Sequence, residues 1–120
     1  MKTTIGGTTF TLQATARDGQ WFAGAAREDN GDPFGIECAG VSEAEAVARL
    51  TDWLEWQHEH TAALESLQQA ERAYHRTIAG SAFASPTEGP SAIDMQKESL
   101  GVVEAARVRL DEIRARRPGT

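Results

Sequence analysis

Three features of this 120-residue chain predict an α+β fold. Residues 8–17 alternate apolar and polar side chains, two turn signatures separate that run from two further short apolar runs, and residues 43–79 contain neither Gly nor Pro. Together they predict a three-stranded antiparallel β-meander packed on a long α-helix, followed by a second, antiparallel helix that completes a helical hairpin.

Residues 1–7 are small and polar around Ile5, and Gly6-Gly7 interrupts them, so they read as a frayed lead-in or a short edge strand with no assigned role. In the first predicted strand, residues 8–17, Phe10, Leu12, Ala14 and Ala16 share one face and Thr9, Thr11, Gln13 and Thr15 the other. Asp18-Gly19 supplies the backbone freedom of a tight hairpin, and residues 21–28 return as the second strand. If Arg17 pairs with Gln20, then Ala16, Ala14, Leu12 and Phe10 stand opposite Trp21, Ala23, Ala25 and Arg27, and the two apolar faces coincide. Asn30-Gly31-Asp32-Pro33 makes the next turn, after which Phe34, Ile36 and Cys38 alternate with Gly35 and Glu37 as a third strand that points Cys38 into the core.

Ser42 with Glu45 is a capping-box signature, and Val41 before it is placed to staple onto Ala46 or to pack beneath the first turn. A helix over 43–79 would be about 55 Å long, so it either protrudes or bends near residues 58–61. Its expected seam is Ala46, Leu50, Trp53, Gln57, His60, Leu64, Leu67, Glu71, Tyr74 and Ile78, in alternating steps of four and three. Val47 and Leu54 widen the stripe only in the first half, which must cover the sheet as well as a helix. Small Ala14, Ala16, Ala23 and Ala25 would let that half approach the sheet closely.

Residues 80–90, rich in Gly, Ser and Pro, read as a loop whose Phe83 packs back onto the hairpin. Ser91 and Asp94 then cap a second helix with a seam of Gln96, Leu100, Val103, Ala106 or Arg107, Leu110 and Ile113, ending before Pro118. That helix is long enough to run back along the first from Ile78 to about Trp56. The chain thus reads as a single domain, with a β-β-β-α part over 8–58 and a helical arm over 59–117.

Charge is unevenly placed. Residues 1–60 carry 10 acidic and 4 basic side chains, whereas residues 61–120 carry 8 of each, so the whole net charge of −6 belongs to the first half. Such a surface repels phosphate backbones and argues against nucleic acid as a partner. The arginines at 107, 109, 114, 116 and 117 sit beside Glu104, Asp111 and Glu112, as expected where basic side chains complement a helix C-terminus. The single cysteine excludes an internal disulfide, no basic leader with an apolar stretch precedes the first strand, and no run approaches the roughly 20 apolar residues that span a bilayer. A soluble, cytoplasmic protein is the expectation.

The constellations that carry chemistry are weak. His58, His60 and His75 with Glu55, Glu59 and Glu71 are ligand types for Zn²⁺. His58 and His60, however, are two apart on a helix and diverge, and only Glu55 with His58 or Glu71 with His75 shares a face. There is no Gly-x-Ser-x-Gly turn, and Gly6-Gly7 neither opens a helix nor precedes a Lys-Ser/Thr pair, so no catalytic, cofactor-binding or metal residues are assigned. Cys38 reads as a small buried hydrophobe with no His or Arg close in sequence to lower its pKa.

The remaining signal is an interaction surface. Trp53 and Trp21 are explained by core packing, but Trp56 lies about 120° around the axis from Leu50 and needs either the second helix or another molecule to cover it. Leu67 and Tyr74 share that side, and Val102 and Val108 lie off the second seam. These five residues form the candidate interface of a non-enzymatic interaction or assembly module, pairing with a second copy of itself as a homodimer or with another protein. The alternative of an enzyme or metal-binding protein would draw on His58, His75 and nearby acids.

Residues 8–57, three antiparallel strands entering a helix through Gly40-Val41-Ser42-Glu43-Ala44-Glu45-Ala46, also resemble the HicB-type antitoxin fold. The resemblance implies a small toxin as partner and, through an added DNA-binding segment, an operator. The chain lacks that family's Pro-Gly turn after the third strand, and a helical hairpin stands where a ribbon-helix-helix or helix-turn-helix element would be expected.

Overall fold

The computed structural model describes residues 1–81 and 92–118. Its elements are β1 (Lys2–Ile5), β2 (Thr8–Arg17), β3 (Gln20–Arg27), β4 (Pro33–Gly40), α1 (Glu43–Ser81) and α2 (Ala92–Ala115). This is an α+β chain with a four-stranded antiparallel sheet in the order β1-β2-β3-β4, packed on a long helix and followed by a second helix. It divides into two compact units, one of Met1–Glu59 with Arg116–Thr120 and one of His60–Ala115, and α1 passes from the first into the second.

The sheet has one strand more than the three expected. Lys2–Ile5 pairs with β2, Ile5 standing opposite Thr8, so Gly6 and Gly7 form a two-residue hairpin loop and are not merely breakers. Both glycines have positive φ, 58° and 82°, the geometry that matches the twist of the flanking strands. A four-residue strand with one large apolar side chain has too few positions to display a period, which is why the alternation did not reveal it.

The β2–β3 hairpin has the predicted register, with Arg17 opposite Gln20, Ala14 opposite Ala23 and Leu12 opposite Ala25. Asp18 and Gly19 both take positive φ in its turn. In the next turn the Asn30 side chain accepts a hydrogen bond from the Asp32 N–H at 2.9 Å. β4 is longer than residues 34–38 and is irregular, since Ala23 faces Cys38 but Ala25 faces Phe34. This bulge breaks the simple alternation at Gly35, whose φ is 79°.

The core of the first unit lies between one face of the sheet and the first turns of α1. Phe10, Leu12, Ala23, Ala25 and Cys38 from the sheet meet Ala46, Leu50, Trp53 and Leu54 from the helix, with Phe34, Ile36, Trp21, Val47 and Trp56 packed at the margin. Ala23, Cys38, Ala46 and Leu50 are all fully buried, and the small side chains among them allow helix and sheet to approach closely. Ala14 is half-buried, but Ala16, beside the hairpin turn, is exposed and takes no part.

α1 begins as expected, with the Glu45 N–H donating to Ser42 Oγ at 3.1 Å. The returning half of the box falls one residue early, since Glu45 Oε2 accepts from the Val41 N–H at 3.4 Å. Val41 does not staple the helix; its side chain is 80% exposed. The helix is assigned without interruption through residues 58–61.

In the second unit the buried line on α1 is Ala63, Leu67 and Ala70, displaced from the expected Leu64 and Glu71, which are only half-buried. Ala63, Leu67 and Ala70 lie within about 60° of one another around the axis, and the face they share is set by packing within this unit, which a repeat carried over from Leu50 and Trp53 does not encode. On α2 the buried residues are Val103, Leu110 and Ile113, while Leu100 remains 38% exposed. The Gly/Ser/Pro-rich loop, the position of Phe83 and the Ser91 cap lie outside the described residues.

Candidate interaction surface

The five residues singled out from sequence fall into different environments. Trp56 belongs to the sheet-bearing unit, where it is half-buried against the core and its ring centroid lies 6.4 Å from that of Trp53. Its ring also carries the Arg117 guanidinium at 5.5 Å from the centroid. Leu67 is buried within the helical unit, so its side chain is engaged inside the chain. Tyr74 is half-buried there, next to the His75 ring at 6.0 Å, and its carbonyl accepts from the Thr77 hydroxyl.

Val102 and Val108 are 56% and 57% exposed. Six residues apart on α2, they point about 120° from one another and do not make a single face. What sequence reasoning missed is the pattern around them. Ile93, Met95 and Leu100 are also large, apolar and exposed. Seven-residue spacing puts Met95 in line with Val102 along one flank and Ile93 in line with Leu100 along another, about 160° away. The signal was in the sequence, but Leu100 is a member of the expected inward seam, and the reading gives Ile93 and Met95 no role.

His60 and His58 have separate surroundings. His60 Nε2 accepts a 3.4 Å hydrogen bond from Arg114 Nε, which places the end of α2 beside the start of the α1 segment in the helical unit. His58 lies across the β1–β2 turn, where a Cβ on Gly6 would fall 2.1 Å from its Cε1. Among the described residues, no three His, Cys, Asp or Glu side chains converge as a metal site.

Cys38 is fully buried on β4, and burial pushes its thiol up from the ordinary range while Arg49 pulls partly against that rise. No His or Arg is close to Cys38 in sequence, but the fold brings Arg49 near enough to act on it. Arg49 reaches back across the helix start to donate to the Ala39 carbonyl at 3.0 Å and to pair with Glu45 at 2.7 Å. The other basic residues of the sheet are likewise paired, Lys2 with Glu28, Arg17 with Glu37 and Arg27 with Asp29.

The sheet face turned away from α1 is polar around one aromatic. Thr4 and Thr9 share a 2.9 Å hydroxyl contact on it, and the Arg17 guanidinium lies 4.3 Å from the centroid of Phe22. Among the described residues, no helix is long and apolar enough to cross a membrane. Comparison with protein-family models, curated proteins and solved structures produced no match to this chain.

Proposed function

We propose that this chain is a non-enzymatic assembly module that pairs with a second copy of itself through α2, its helical unit being an antiparallel helical hairpin. The observation that carries the reading is the exposure of five large apolar side chains on a single helix, Ile93, Met95, Leu100, Val102 and Val108. One face of α2 is already spent on Val103, Leu110 and Ile113, whereas Ile93, Leu100 and Val108 lie within about 80° of one another on a separate exposed face and suit a further helix. The 3.4 Å contact of Arg114 with His60 supports the antiparallel arrangement.

Sedimentation velocity over a dilution series tests this reading. A concentration-dependent dimer is expected for the wild-type chain, with Leu100→Asp and Val108→Asp shifted toward monomer at unchanged helix content. A monomer at every concentration, or variants that dimerise as the wild type does, would sink it.

A second reading, an antitoxin of the HicB type, draws on the order β2-β3-β4-α1 and the Ser42 cap. Its test is co-expression with a small basic protein encoded in the neighbouring reading frame. Co-purification of the two would favour it, and separate elution would count against it.

A further inference from the structure

We propose that the segment following α2 is an ionic clasp that serves as the intrachain cover of Trp56. α2 ends at Ala115, and Pro118 disfavours helical backbone at Arg117, so the chain leaves the helix with Arg116 and Arg117 in succession. Arg116 pairs with Glu59 at 3.4 Å, and Arg117 lies over the Trp56 ring at 5.5 Å. Glu59 and Trp56 are three apart on α1, so two adjacent arginines reach neighbouring positions on one helix surface. This segment belongs to the same compact unit as Trp56, although the whole of α2 separates them in sequence from the rest of that unit.

The sequence leaves Trp56 in need of a cover, and the clasp supplies one from within the chain. Its two contacts are of kinds that hold loosely. The Arg116 and Glu59 side chains are 61% and 49% exposed, and exposed ion pairs and cation–π contacts each shift an equilibrium by roughly 2- to 5-fold. The clasp therefore closes over Trp56 at low ionic strength and lifts as salt screens the ion pair. This inference is independent of pairing through α2.

The test is the indole N–H spectrum of the full ¹⁵N-labelled chain, with the Trp56 signal assigned by Trp56→Phe. Replacing both arginines in R116A/R117A is expected to move the Trp56 signal and leave those of Trp21 and Trp53 in place. Raising salt to about 1 M should move the wild-type signal toward the double variant's position, because screening then acts within about 3 Å. The exchanged pair Glu59→Arg with Arg116→Glu should restore the low-salt position, whereas Glu59→Arg alone should not. A Trp56 signal unaffected by R116A/R117A, or insensitive to salt in the wild type, overturns the proposal.

Discussion

The Trp53 indole occupies the space that a side chain on Gly35 would need, since a Cβ built there would stand 2.4 Å from Trp53 Cζ3. Gly35 also has a φ of 79°, which L side chains rarely adopt. The β4 bulge and the principal aromatic of the core are therefore one construction, in which the strand turns its backbone to the indole face. Gly35→Ala combines positive-φ strain with overpacking and is expected to cost about 2–4 kcal/mol. Urea denaturation measures the loss; a loss of only about 1 kcal/mol would show that the indole moves aside freely, and a variant within about 0.5 kcal/mol of the wild type would rule out the φ strain as well.

Gly6 offers a contrasting case. A Cβ there would collide with the His58 ring, but that ring is the far end of an exposed side chain and can swing away. The φ of 58° cannot be relieved in the same way. Gly6→Ala is thus expected to cost about 1 kcal/mol, and adding His58→Ala should recover little of it. Full recovery in the double variant would place the cost in the clash instead.

The start of α1 depends on Ser42. Ser42→Ala removes the acceptor for the Glu45 N–H and should destabilise the chain by about 1 kcal/mol. Ser42→Asp, which keeps an acceptor at the cap, should hold most of the wild-type stability in thermal or urea unfolding. If Asp proves no better than Ala, capping is not what the serine contributes.

Cys38 predicts an alkaline dependence of stability. Burial raises the thiol in the folded chain, so between about pH 8.5, where an unfolded cysteine ionises, and its higher folded value the unfolded state binds fewer protons. Stability contributed by the neutral buried thiol is complete below that window and declines as pH rises through it. Wild type should lose more stability from pH 7 to about pH 10 than Cys38→Ala, as read from urea midpoints. Parallel losses in the two proteins would show that another group governs the decline.

Much of the fold was legible because local chemistry and periodicity agreed. Alternation, the Asp18-Gly19 turn and the requirement that two apolar faces coincide led to the β2–β3 register residue by residue. Ser42 and Glu45 marked the start of α1, and the broad stripe through Val47 and Leu54 anticipated the face that meets the sheet. The candidate surface was less legible. Exposure on α2 depends on which flank its neighbours occupy: Leu100, expected in the seam, is exposed, and Leu67, expected both in the seam and on the interface, is buried.

By itself, then, the sequence determined the strand–turn–strand pattern of residues 8–38, the entry into a long helix and the presence of a second one, because each rests on interactions a few residues apart. Only the tertiary structure decided the pairing of Lys2–Ile5, the bulge that seats Trp53 over Gly35, the shift of the buried line to Ala63 and Ala70, and the meeting of Arg117 with Trp56. Each of these is settled by packing between residues distant in sequence, which no local period encodes.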